Sequence, residues 1–170
     1  LSSAELERRR QFLGHMRARE EEEWRLAERI ICPSEYVAAE LVRWGVPESK
    51  VQVVPYGFTP SCPPSSSRTR ASSATPLSLL FVGAVNRRKG APFLIEAMQD
   101  LDGVAKLEMY GPMDPSIAAK SLPDNVRWHG PRPFAEVMEA YAASDAFILP
   151  SFLEGSATVV YEAMSFGLPS

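Results

Sequence analysis

The sequence is short of several things, and each shortage closes a class of function. Cysteine occurs only at Cys32 and Cys62, which suits neither a disulfide framework nor a zinc pattern. Two reduced thiols in a cytosolic protein are the expectation. Histidine occurs only at His15 and His129, without metal-ligand spacing, so no metal site is expected. No apolar run approaches the ~18 residues of a membrane span. The opening LSSAELERRRQFLG lacks the apolar stretch of a signal peptide. Basic excess is missing too: the net charge is −3, so nucleic acid is not an expected partner. There is no G-x-G-x-x-G, no Walker G-x-x-x-x-G-K-[ST] and no G-x-S-x-G elbow, which counts against dehydrogenase, NTPase and serine-hydrolase chemistry. An initiator Met is lacking, and the chain stops at GLPS, where a further strand should follow. It reads as a piece of a longer protein.

What is present is ordinary for a globular domain: 45% hydrophobic and 23% charged residues over 170 positions. Residues 3–29, rich in Glu, Arg, Leu and Ala, predict one or two helices, with Glu21 and Arg25 spaced to pair. RIIC reads as a strand. In PSEYVAAELVRWG, Ser34 caps a helix with Val37, Leu41 and Trp44 at helical spacing, and Gly45 and Pro47 end it. KVQVVPYG reads as another strand. Residues 59–76, Ser/Pro-rich, predict a linker or loop.

From residue 77 the chain alternates. LSLLFVGAV, AKLEMYG, NVRWHG and AFILPS read as strands, each followed by a helical segment. In APFLIEAMQDL the inward positions are Phe93, Leu94 and Ala97 or Met98. This rhythm predicts an α/β fold, a Rossmann-like parallel sheet with helices on both faces and right-handed crossovers. Ligands of such sheets bind beyond the carboxyl ends of the strands. The loops there are GAVNRRKG, YGPM, HGPRP and PSFLEGSA.

GAVNRRKG stacks Arg87, Arg88 and Lys89 before a helix. Three adjacent cations repel one another and gain little from the fold, so an anion explains them better than solvent does. In EGSATVVYE the small residues Gly155, Ser156, Ala157 and Thr158 allow close backbone approach, and the helix start attracts phosphate. That attraction is worth about 0.3–1 kcal/mol for an exposed anion, too little alone but enough to assist Arg88 and Lys89 on a diphosphate. Glu154 and Glu162 would repel phosphate, so both suit hydroxyl groups instead. The plain alternative for Glu162 is an exposed residue paired with a cation. His129 reads as a strand-end residue, not a base, whose main chain could border a nucleobase.

With these segments assembled, the chain resembles the retaining glycosyltransferases of family four, with the GT-B fold. AERIICPSEYVAAELVRWGVPESKVQVVPYGF is similar to the passage between the two GT-B domains, LLFVGAVNRRKG to the donor-phosphate loop, and VRWHGPRPFAEVMEAYAASDAFILPSFLEGSATVVYEAMSFGLP to the stretch with the E-x7-E motif. The resemblance implies residues 1–58 as the tail of the first domain and residues 77–170 as an incomplete donor-binding domain. It implies metal-independent transfer, without cofactor, from a UDP-, GDP- or ADP-sugar to an unknown acceptor. Arg88 and Lys89 would hold the diphosphate, Glu154 the sugar, Glu162 the ribose, and the backbone of Ser156 to Thr158 phosphate or sugar. Gly83, Arg87, Gly111, His129, Gly130 and Gly155 complete the donor-binding set. Ala84 stands where many members carry Arg, and EGSATVV replaces the commoner EGFGLVV.

The expected setting is cytoplasmic, at the inner face of the membrane if the absent first domain associates with it, and exposed sheet edges allow a homodimer. The 170 residues alone are expected to be inactive. Alternatives are a non-catalytic nucleotide-sugar-binding module and a GT-B nucleotide-sugar epimerase.

Overall fold

The computed structural model describes residues 2–57, 76–119 and 121–170. The chain divides into two compact units, Leu1–Tyr56 and Gly57–Ser170. Of the expected linker, residues 59–75, Cys62 among them, lie outside the described residues.

In the first unit, the helical stretch expected over residues 3–29 is one long helix, α1 (Ser3–Leu26). The Ser2 hydroxyl accepts from the Glu5 N–H while the Glu5 carboxylate accepts from the Ser2 N–H, so two otherwise unpaired groups satisfy each other. The expected Glu21–Arg25 pair does not form. Arg25 donates twice to Glu22, at 2.8 and 2.7 Å, and Glu21 goes to Arg17 at 2.7 Å. The planar guanidinium gains more from a two-point grip than from the single contact that spacing alone proposes. No residue of α1 is buried. Strands β1 (Ile30–Cys32) and β2 (Val51–Val53) pair in parallel. Between them lies α2 (Glu35–Arg43), capped by Ser34 through the Val37 N–H at 3.3 Å. Cys32 is buried.

The second unit is a parallel sheet in the order β5-β4-β3-β6, built from β3 (Leu77–Val82), β4 (Ala105–Tyr110), β5 (Val126–Gly130) and β6 (Ala146–Phe147). The intervening helices are α3 (Ala91–Met98), α4 (Pro115–Ala118) and α5 (Phe134–Ala143), and α6 (Thr158–Ser165) follows β6. Alternation along β3 explains its apolar run from Leu79 to Val82. Leu79 and Phe81 pack with Leu94, Met98 and Ile117 on one face, and Leu80 packs with Tyr141, Phe147 and Ala163 on the other. Both faces are therefore helix-covered, as the alternation of elements predicts.

One core expectation fails. Phe93 is 54% exposed and meets Phe152 edge-on, with ring centroids 5.5 Å apart. Ala91, Leu94 and Met98 occupy the inner stripe of α3, and the neighbour of Leu94 points about 100° away from it. Met98, not Ala97, is the second inward residue.

The chain runs from β3 outward through β4 to β5, then returns to place β6 on the other side of β3. This reversal opens a crevice beyond the carboxyl ends of β3 and β6, the place where open α/β sheets hold ligands.

Candidate functional site

Two loops meet at that crevice. The first leaves β3 at Gly83. Asn86 shapes it: its side-chain oxygen accepts from the Lys89 N–H at 3.0 Å, and its carbonyl accepts from the Ala91 N–H at 3.2 Å. The Arg87 carbonyl accepts from Gly90 at 3.0 Å. The turn thereby aims Lys89 inward and starts α3.

The second loop leaves β6 and is fastened to the first along its length. The Phe152 N–H donates to the Arg88 carbonyl at 3.0 Å, and Arg88 Nη1 donates to the Leu153 carbonyl at 3.3 Å. Gly90 has φ 70°, and a Cβ placed there would stand 2.0 Å from the Pro150 carbonyl oxygen. Only glycine permits both the left-handed turn and this approach.

Above this seam the charged groups converge. Lys89 Nζ donates to Glu154 Oε1, and Arg88 Nη1 lies 3.8 Å from Glu154 Oε2. The Lys89 side chain is 13% exposed, Glu154 24% and Arg88 56%, so Lys89 is the inner cation and Arg88 the outer one. Burial pushes the Glu154 carboxyl up, but the hydrogen bond from Lys89, the nearby Ser151 hydroxyl and the two cationic charges outweigh it. The net effect holds the carboxyl below the ordinary carboxylate range, and it stands ionised. Ser151 Oγ is buried and makes no hydrogen bond of full geometry, so its help is that of a nearby dipole.

The other strand ends continue the floor. The Gly83 N–H donates to the Tyr110 carbonyl at 2.9 Å, and the Gly111 N–H to the Gly130 carbonyl at 3.0 Å. A Cβ on Gly111 would stand 2.1 Å from the Gly83 carbonyl oxygen. His129 stacks on Tyr110 with centroids 4.4 Å apart, and its Nε2 pairs with the Glu108 carboxylate. The His129 side chain is thus committed to the sheet. Its carbonyl accepts from Arg132 Nε at 2.9 Å.

At the start of α6, no side chain caps the first turn. Ser156 Oγ lies 3.4 Å from the Tyr161 hydroxyl. The plain alternative for Glu162, an exposed residue paired with a cation, does not hold: it is half-buried and makes no ion pair among the described residues. The buried Tyr141 hydroxyl, from α5, donates to Glu162 Oε2 at 2.9 Å and to the Val159 carbonyl at 3.2 Å. Burial, then the Glu162 charge, push ionisation of this phenol far up, so it remains a neutral donor.

The structure therefore brings Arg88, Lys89 and Glu154 together and joins Gly83, Gly111 and Gly130 at adjacent strand ends. It does not bring Arg87 to them: Arg87 is exposed and makes no ion pair among the described residues. Glu162 makes no hydrogen bond or ion pair with Arg88 or Lys89 among the described residues; its carboxylate is held by Tyr141. Sequence reasoning missed Asn86, Ser151 and Tyr141. Asn86 carried a signal, an Asn three residues before the inward lysine. Nothing in the spacing of Tyr141 separates it from a plain core residue.

Among the described residues no cluster of three or more metal-ligating side chains occurs, and no helix is long and apolar enough to cross a membrane.

The glycosyl transferases group 1 family matches residues 66–170, and glycosyltransferase family 4 matches residues 4–61. The putative colanic acid biosynthesis glycosyltransferase WcaL of Escherichia coli (strain K12) is 29% identical over 175 residues, spanning 94% of this chain and 43% of its own. A D-inositol 3-phosphate glycosyltransferase of Arthrobacter sp. (strain FB24) is 29% identical over 175 residues, spanning 90% and 42%. The structure of Anabaena HepE in complex with UDP and glucose superposes with a TM-score of 0.65 at 21% identity, covering 85% of this chain and 44% of that one. That likeness shows the fold. The chain spans less than half the length of the relatives it matches.

Proposed function

The chain belongs to the glycosyl transferases group 1 family, and from that premise we propose that residues 77–170 bind a nucleotide-diphosphate sugar as donor for sugar transfer with retention. In this reading residues 1–58 are the end of the first GT-B domain and the passage into the second. The observation that carries it is the convergence of Lys89 and Arg88 on Glu154 across the β3/β6 crevice.

The chemistry follows from the charges. Cleavage of the donor releases a nucleoside diphosphate, and negative charge grows on its oxygens as the bond breaks. Cations held at that point stabilise the transition state more than the ground state. Lys89, pre-aimed by Asn86, and Arg88, anchored on Leu153, are fixed before the donor arrives. Glu154, held ionised, is an acceptor for sugar hydroxyls and a poor proton donor. Without donor it neutralises Lys89; with donor, phosphate shares the cations and the carboxylate turns to the sugar. Glu162 accepts from the ribose hydroxyls, and backbone N–H groups of Ser156 to Thr158 meet phosphate or sugar.

The test is a thermal-shift screen of UDP-, GDP- and ADP-sugars. A ligand at 100 times its Kd stabilises by about 2.7 kcal/mol, so one nucleotide should raise the melting temperature by several degrees. Lys89→Ala should remove that response. A chain indifferent to all three nucleotides would sink the proposal.

A further inference from the structure

We infer that Tyr141 is a positioning residue for the donor site: its hydroxyl holds one oxygen of the Glu162 carboxylate so that the other is presented to the ribose hydroxyls. The inference rests on the ribose role proposed for Glu162 above.

Tyr141 has no exposed surface. Its ring lies flat against Phe166, centroids 5.6 Å apart at 12°, and leans on Phe147 at 5.8 Å. The hydroxyl therefore has a fixed position at the buried side of α6. It has two acceptors, and the carboxylate is the nearer, at 2.9 Å against 3.2 Å for the Val159 carbonyl. The carbonyl alone would satisfy a buried phenol, so the contact with Glu162 is not needed for folding. Its effect falls on Glu162. A glutamate on a helix surface samples many rotamers and loses that freedom when it binds a ligand. Glu162 is half-buried, and one oxygen is already held. The partner is neutral, so the full negative charge remains to strengthen the bond with an incoming hydroxyl. A cation there, of the kind Glu154 has in Lys89, would have spent that charge.

The test compares dissociation constants of UDP, GDP and ADP with those of their 2′,3′-dideoxy counterparts. Wild type should prefer the ribonucleotide, and Glu162→Ala should abolish the preference. Tyr141→Phe should weaken ribonucleotide binding about three- to tenfold and leave the dideoxy form unchanged. In a Glu162→Ala background, Tyr141→Phe should change neither. Equal weakening of both forms by Tyr141→Phe makes Tyr141 merely structural and overturns the inference. Full ribose preference in Tyr141→Phe, with none in Glu162→Ala, also overturns it while leaving the Glu162 role intact. A wild type that binds none of the three, or binds without preference, overturns the Glu162 role and this inference with it. If Tyr141→Phe does not fold, p-aminophenylalanine at the same position carries the test, since it keeps a neutral donor of similar size. A folded variant of that kind without ribose preference overturns the inference.

Discussion

Glu154 and Glu162 belong to one short segment, yet their surroundings are opposite. Glu154 sits in a loop with two cations brought from another strand end. Glu162 sits on a helix with a neutral phenol brought from the neighbouring helix. A carboxylate answered by cations can exchange them with a phosphate as a ligand enters. A carboxylate answered by a neutral donor keeps its charge and needs only a hydroxyl. In the function proposed above, the cations beside Glu154 would take the donor phosphates while Glu154 turns to the sugar, and Glu162 would take the ribose hydroxyls. Glu21 supplies a third case: it is paired with Arg17 on an exposed helix, with both side chains about half exposed or more.

Breaking the seam beneath Glu154 should have the largest effect. Gly90→Ala forces a left-handed backbone on a residue with a Cβ and drives that Cβ into the Pro150 carbonyl. We expect a loss of about 3 kcal/mol, read as a lower urea midpoint, together with loss of nucleotide response. An unchanged midpoint would show that the two loops are not held as described.

Next comes the ionisation of Glu154. Its carboxyl is held below the ordinary carboxylate range in the folded chain. The stabilisation it provides is therefore present above that range and is lost as pH falls through the depressed value. Glu154→Gln should cost about 1 kcal/mol at neutral pH, and the gap to wild type should close on acidification. A gap that persists into acid would mean that the charge of Glu154 is not what matters.

The smallest effect belongs to Glu21→Ala, at about 0.3 kcal/mol by the same denaturation measurement, because solvent screens an exposed pair. A cost like that of Glu154→Gln would erase the distinction between exposed and site glutamates.

Much of the second unit was legible in advance because its central strand, β3, is buried on both faces. LSLLFV admits no polar residue except Ser78, near its start, and Gly167, at φ 68°, ends α6 where a glycine at the close of a helix should. Short-range pattern reports burial, and burial dictates this part of the fold. Phe93 shows the limit: three apolar residues in a row cannot all face inward, and the choice among them depends on what α3 packs against.

The sequence by itself determined the parallel α/β architecture, the strand ends beyond which open α/β sheets hold ligands, and the residue types Arg88, Lys89, Glu154 and Glu162 available near them. Those follow from periodicity and side-chain chemistry, which are local. Only the tertiary structure decided the partners. Lys89 and Glu154 are 65 positions apart and meet because β6 returns to the side of β3 away from β4. Tyr141 reaches Glu162 because α5 and α6 cover the same face of the sheet. Contacts of that kind depend on strand order, and strand order is a property of the whole sheet that no single segment encodes.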